Sequence, residues 1–236
     1  MDKLLKDGAK QLGINLTDLQ IEQLLEYKNL LLEWNKKLNL TAITKEEEII
    51  TKHFLDSLSV GYAINLDQYK NLIDVGTGAG FPGLVLKIVY AHLNITLVDS
   101  LNKRILFLDT IIEKLGLKNI ITIHGRAEDL AQKSEYREKF DICCPRAVSN
   151  LSTLSEYCLP FVHNNGYFIA LKGQKLDDEL KTATNAIKIL GGEVENIVDI
   201  PIPFTDIVHK IAVIKKIKTT NKKYPRKAGE PSKAPL

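Results

Sequence analysis

The sequence predicts an α/β protein: a mixed sheet of about seven strands with helices on both faces and a helical cap at the N-terminus. Three observations carry that expectation. Apolar residues recur at helical spacing over the first seventy positions, strand-length apolar runs alternate with helical stretches from residue 71, and the first of those runs enters a turn holding four glycines. The chain therefore divides into a helical cap at 1–70, a sheet core at 71–217 and a basic, flexible tail at 218–236.

Within the cap, Ile21, Leu24, Tyr27, Leu31, Trp34 and Leu38 fall along one helical stripe. Thr17 with Gln20 reads as a capping box that starts this helix, and Thr44 with Glu47 reads as a second box. The second box opens a helix carrying Ile49, Ile50, His53, Phe54 and Ser57, and the polar stretch 39–41 is the joint between the two. In the core, runs rich in branched or aromatic residues at 72–75, 95–98, 120–123, 140–143 and 167–171 read as strands. Helical patterns fill the gaps at 81–90, 102–115, 151–159 and 175–190. That alternation demands crossover connections and hence parallel strands covered on both faces. The last two runs, 194–200 and 207–217, are separated by a gap too short for a helical crossover, so they should pair antiparallel.

Composition excludes several classes of protein. Hydrophobic residues at 44% and charged residues at 26% are ordinary globular values, unlike those of a disordered or fibrous chain. No apolar run approaches the ~18 to 20 residues of a spanning helix, and the longest candidate, 81–91, is interrupted by Lys87. No membrane partner is expected, and the N-terminus lacks a secretory pattern, so the expected location is cytoplasmic. Cys143, Cys144 and Cys158 fit neither a disulfide framework nor zinc spacing, so they read as reduced thiols and no metal is expected. The net charge of +3 is uneven: residues 215–236 hold eight basic residues against Glu230 alone, giving +7 there and leaving −4 for the rest. Such a tail is either a solvated terminus or a segment attracted to phosphates.

The glycine turn runs from Asp74 to Gly83 and contains Gly76, Gly78 and Gly80. Its glycines permit positive φ and close approach of a ligand, and Pro82 suits a first helical turn. At the carboxyl edge of a parallel sheet such a turn forms a nucleotide crevice. From Gly78 onward it also satisfies the dinucleotide fingerprint. Asp74, immediately before the turn, argues against a pyrophosphate and suits a ligand carrying an ammonium and a sulfonium, which favours S-adenosylmethionine. Asp99, 23 residues after Gly76, is placed to accept ribose hydroxyls. Glu128 and Asp129 follow the third strand, where they either reach an adenine edge or are ordinary surface acids. Lys103, Arg104 and Lys172 lie near the same edge as phosphate-binding candidates. His53 and Asp56, an i, i+3 pair, are either packed structurally or part of a site.

Asn39-Leu-Thr, His53-Phe-Leu-Asp-Ser, the turn from Asp74 to Gly83, Leu97-Val-Asp-Ser-Leu-Asn-Lys-Arg, Gly125-Arg-Ala-Glu, Arg146-Ala and Leu171-Lys-Gly together resemble, in order and spacing, the glucose-inhibited division protein B family. The resemblance covers almost the whole chain, including the tail from Tyr224. It implies a class I S-adenosylmethionine-dependent methyltransferase of Rossmann-like fold, transferring a methyl group to N7 of one guanine in 16S ribosomal RNA of the small subunit. It further implies that Gly76, Phe81, Ala127, Glu128 and Arg146 line the cofactor site, with Asp99 at the ribose. With Asp74 and Gly78 these complete the expected cofactor set. Arg146 and Lys172 are the positioning candidates, and no catalytic base is assigned, because guanine N7 offers a lone pair and has no proton to remove. Arg146 is expected to orient either the cofactor carboxylate or an RNA phosphate, the carboxylate being the favoured reading. Lys103, Arg104, Lys222, Lys223, Arg226 and Lys227 are the RNA-binding candidates. One departure stands out: Cys144-Pro145 precedes Arg146 where the family usually has Ser or Ala, and Pro145 should stiffen that loop.

Overall fold

The computed structural model describes residues 1–146 and 149–236; Ala147, the second half of the Arg146-Ala pair, lies outside the described residues. Helices α1 (Asp2–Gln11), α2 (Asp18–Leu38), α3 (Glu46–Ile49) and α4 (Asp56–Ala63) precede the sheet. The capping box at Thr17 and Gln20 is present in both directions and starts α2. The second expected box does not form. Helix α3 starts after Lys45 rather than after Thr44 and has no side-chain cap; Glu46 is instead drawn to Lys28 of α2. A π-helical turn, Ile50–Leu55, joins α3 to α4 and carries His53, with Asp56 just beyond it.

Seven strands follow: β1 (Asn71–Val75), β2 (Asn94–Asp99), β3 (Ile120–His124), β4 (Phe140–Cys143), β5 (Val162–Lys172), β6 (Gly192–Pro201) and β7 (Val208–Lys216). They are ordered β3-β2-β1-β4-β5-β7-β6, parallel from β3 through β5, with β7 antiparallel to both β5 and β6. Helices α5 (Gly83–Val89), α6 (Asn102–Lys114), α7 (Ala127–Leu130), α8 (Leu151–Cys158) and α9 (Leu176–Ile189) make the crossovers. Side chains alternate between two cores as the pleat requires. Leu72, Ile169, Leu171, Ile211 and Val213 face the layer built by α1–α6, whereas Ile73, Phe168, Ala170, Ala212 and Ile214 face α8 and α9. The N-terminal helices belong to the first layer. Tyr27 of α2 stacks on Phe54 and Phe81 with ring centroids 5.3 and 5.6 Å apart, so the glycine turn is backed directly by the helical segment.

The strand order reverses between β1 and β4, whose carboxyl ends diverge to opposite helical layers and leave a crevice over the glycine turn. Cys143, Cys144 and Cys158 are buried, and burial pushes the thiols of Cys143 and Cys144 well above their usual range, which suits packing rather than nucleophilic chemistry.

The tail differs from the flexible segment that its charge suggests. Thr220 and Tyr224 are buried, and a short helix, α10 (Glu230–Lys233), packs beside α8. Arg226 makes a two-point pair with fully buried Glu156, Nε to Oε1 at 3.0 Å and Nη2 to Oε2 at 2.7 Å. Arg137 grips the carbonyls of Thr220 and Tyr224, each at 2.9 Å. The physical reason is that the body's acids meet the tail's bases: local charge counting cannot see Glu156, which lies 70 positions upstream of Arg226. Arg226→Ala should therefore lower the free energy of unfolding in denaturant by about 3 kcal/mol, because it strands a buried carboxylate. Lys227→Ala, at an exposed neighbour, should change it by no more than ~0.5 kcal/mol. Equal small effects would show that the tail does not stabilise the body.

Candidate functional site

The glycine turn is anchored at each end by a carboxylate. Gly76 and Thr77 both donate their N–H groups to Val98 O, at 2.8 and 3.0 Å, which keeps the turn against β2. Asp74 is fully buried beneath the turn, and its Oδ2 accepts from Thr77 Oγ1 at 2.7 Å and Gly83 N at 2.8 Å. Burial pushes its carboxyl up to about 7. Asp74 therefore does not line the crevice as a fixed charge, contrary to the sequence expectation; it braces the turn from below. Asp99, 2% exposed, does reach the crevice. Its Oδ2 accepts from Gly78 N at 2.9 Å and its Oδ1 from Leu101 N at 2.9 Å, so the second carboxylate fixes the other wall of the turn.

Two lobes share Gly76, Asp99 and Ser100. One, of about 400 Å³, is lined by Thr41, His53, Gly78, Phe81, Arg104 and Arg146 among others. The second, of about 240 Å³, is lined by Gly125, Ala127, Glu128 and Tyr157. Of the two acids after β3, Glu128 is buried and lines this lobe, whereas Asp129 is exposed. The arrangement fits an elongated nucleoside. Gly78 has φ +62, and a Cβ there would meet only Gly76 O at 4.0 Å, so this stretch of backbone stands open to a ligand. The residues present accordingly suit S-adenosylmethionine, since the open glycine backbone lies between two lobes and each lobe carries a carboxylate, Asp99 in both and Glu128 in the smaller.

Arg146 closes the first lobe. Its backbone bridges Leu171 of β5, while its guanidinium lies over the Phe81 ring at 4.7 Å. Nη1 donates to Asp56 Oδ2 at 3.0 Å and to Lys52 O at 3.3 Å, and Nη2 donates to His53 Nδ1 at 3.0 Å. Because arginine can only donate, His53 must accept through Nδ1 and carry its proton on Nε2, which faces Thr41 Oγ1 at 2.8 Å. Burial, followed by the charge of Arg146, lowers the His53 pKa to about 4, consistent with that neutral ring. The other oxygen of Asp56 accepts from His209 Nδ1 at 2.5 Å, and this bond raises the His209 pKa. On the far side of Arg146 lies a second cavity of about 430 Å³, lined by Lys52, Asp56, Lys172, Lys175, Glu179 and His209 among others.

Several expected phosphate ligands are already engaged. Arg104 pairs with Asp99 at 3.1 Å, and Lys172 donates to Ser149 O at 2.6 Å and pairs with Glu179 at 2.8 Å. Lys172 thus pins the chain after Arg146, with a side chain only 9% exposed. Lys103 is at the rim, its Nζ 3.1 Å from Leu38 O. Arg226 is committed to Glu156, while Lys222, Lys223 and Lys227 are exposed. The sequence reading missed His209 and Tyr157, which carry no periodic or motif signal, and the supporting role of Tyr27, whose hydroxyl donates to Ala79 O inside the turn. Among the described residues there is no group of three or more His, Cys, Asp or Glu side chains able to hold a metal ion, and no helix is long and apolar enough to cross a membrane.

Comparison with known proteins places this geometry. The family described as rRNA small subunit methyltransferase G matches residues 20–205. Ribosomal RNA small subunit methyltransferase G of Alkaliphilus metalliredigens is 52% identical over 233 residues, 99% of this chain and 98% of that protein. The protein of the same name from Alkaliphilus oremlandii is 54% identical over the same coverage. Among solved structures, a variant of MtNAS in complex with S-adenosylmethionine superposes with a TM-score of 0.56 at 15% identity, over 92% of this chain and 78% of that one. The Methanococcus jannaschii fibrillarin pre-rRNA processing protein gives 0.50 at 17% identity, over 64% of this chain and 68% of that one. Those structures share the fold of class I S-adenosylmethionine-dependent methyltransferases. The extent of the family match and the identity to its members lead to one assignment: the chain belongs to the rRNA small subunit methyltransferase G family.

Proposed function

We propose that the chain methylates N7 of one guanine in 16S ribosomal RNA of the small subunit. Family membership makes it an S-adenosylmethionine-dependent methyltransferase of small-subunit ribosomal RNA. The observation that carries N7 is the state of the junction between the two cavities. Both oxygens of Asp56 and Nδ1 of His53 are occupied by Arg146 and His209, so neither Asp56 nor His53 serves as a general base at the junction; His209, which donates through Nδ1 and keeps Nε2 without a partner among the described residues, lines the far cavity and not the cofactor lobe. An exocyclic amine or a ribose hydroxyl would need a general base to lose its proton. Guanine N7 attacks through a lone pair and needs none. When bound, S-adenosylmethionine supplies an electrophilic methyl on a sulfonium. The protein's contribution is to align donor and acceptor, a gain worth about 7 kcal/mol or more in favourable cases. In this reading Asp99 and Glu128 hold the nucleoside, the glycine turn fixes its depth, and Arg146 forms the partition across which the acceptor base enters from the side of Lys52 and Lys175.

Methyl incorporation into purified small subunits that lack the modification, followed by mapping of the modified base and atom, tests the proposal directly; methylation at any atom other than guanine N7 would refute it. Asp99→Asn should weaken S-adenosylhomocysteine binding in calorimetric titration by ~1.5 to 3 kcal/mol, through loss of charge-assisted acceptors. Unchanged affinity would remove Asp99 from the site.

Arg146→Lys should lower kcat at least tenfold while leaving cofactor affinity within about threefold, because lysine cannot reproduce the planar fork shared by Asp56 and His53. Full turnover would reduce Arg146 to a point charge. Replacing Lys222, Lys223 and Lys227 together by alanine should leave the fold intact and make subunit binding less dependent on salt, by up to ~0.9 in the log-log slope for each phosphate contact removed. An unchanged slope would leave RNA docking to Lys52, Lys103 and Lys175.

A further inference from the structure

The packed tail reaches the cofactor crevice at one atom. Gly229 donates its N–H to Oε1 of Glu128 at 3.0 Å. Glu128 is 7% exposed and lines the smaller lobe with Gly76, Asp99, Ala127 and Tyr157, and among the described residues its Oε2 has no hydrogen-bond partner. A carboxylate with one oxygen tied has its second oxygen aimed, and here the second oxygen belongs to a residue on the wall of that lobe.

The tie is rigidly mounted. Three residues before Gly229, Arg226 is fixed on buried Glu156 by two parallel bonds, and its Nη2 also donates to Ala234 O at 2.8 Å, closing the turn that contains Gly229. Two residues after it, Pro231 O accepts from Thr153 Oγ1 at 3.0 Å. Gly229 itself has φ +86, and a Cβ added there would meet nothing within 4 Å, so this glycine serves backbone conformation rather than close packing. Both anchors, Thr153 and Glu156, lie on α8, and the next residue of that helix, Tyr157, lines the lobe. The tail, α8 and the base-binding wall therefore form one unit.

We propose that the segment around Gly229 is a positioning element for adenine selection: by tying Oε1 of Glu128 it presents Oε2 to the exocyclic amine of the cofactor. This rests on the placement of the adenine in the smaller lobe. A tied carboxylate accepts from an amine and repels a carbonyl oxygen at the same place, so the tail contributes to discrimination between bases and not only to folding.

The test compares S-adenosylhomocysteine with S-inosylhomocysteine, in which a carbonyl oxygen replaces the amine, by titration of three proteins. The intact chain should prefer the adenosine ligand by about tenfold or more. Glu128→Ala should abolish most of that preference. A chain ending at Lys227, which keeps the Arg226–Glu156 pair but lacks Gly229, should lose about as much, while still unfolding cooperatively. If Glu128→Ala removes the preference and the shortened chain keeps it, the tail's role is overturned and the adenine placement stands. If neither variant changes it, the placement itself fails and the inference with it. Should the shortened chain not fold, hydrogen exchange on the intact protein decides: the Gly229 amide should be slowed by S-adenosylhomocysteine and not by the inosine analogue, and equal slowing by both would overturn the proposal.

Discussion

Asp56 stands at the end of the π-helical turn, 2% exposed, and its two oxygens hold residues that arrive from opposite parts of the chain. Oδ2 meets Arg146 at the end of β4, and Oδ1 meets His209 on β7. The pair joins the helical segment to the sheet beside the point where strand order reverses, where Arg146 separates the two cavities. Breaking a buried pair by removing one partner costs about 3 to 5 kcal/mol in typical proteins. Here the consequence extends past stability, since the same bonds fix the plane of the guanidinium over Phe81, the tautomer of His53 and the partition between the two cavities.

Four carboxylates of the same chemical type do different work because their surroundings differ. Asp74 is fully buried, and burial shifts its ionisation toward neutrality against the opposing effect of two donors on one oxygen, so it braces the turn. Asp99 receives backbone donors on both oxygens yet remains at the crevice. Glu156 is equally buried but paired with Arg226, and it serves the tail. Glu128 divides itself between the tail and the lobe. Sequence position after a strand identifies Asp74, Asp99 and Glu128 as a group; only the donors each one meets separate scaffold from ligand site.

The elements are readable in the sequence because local chemistry dictates them. The stripe from Ile21 to Leu38, the Thr17–Gln20 box, the alternation of runs with helices and the short gap before the last strand each express a period or a connection length, and the sheet follows them closely. Gly76, Gly78, Phe81, Asp99, Glu128 and Arg146 do gather around one crevice. The start of α3 escapes such a reading because Glu46 answers to Lys28 on another helix rather than to a local cap. Lys172 and Arg104 look like phosphate ligands because a sequence shows charge without showing the partner already beside it.

By itself, then, the sequence determined the α/β class, the order of its elements, the glycine turn and the family to which the chain belongs. Tertiary structure alone decided that the basic tail is packed, that His209 joins Asp56, and which acid beside β3 lines the crevice. The reason is range. Secondary structure and turns are set by neighbours within a few residues, whereas Asp56 and His209 are 153 positions apart, Glu128 and Gly229 101, and Asp56 and Arg146 90. Such pairs leave no period in the chain; they come into being only when the strand order of the sheet brings their elements to one edge.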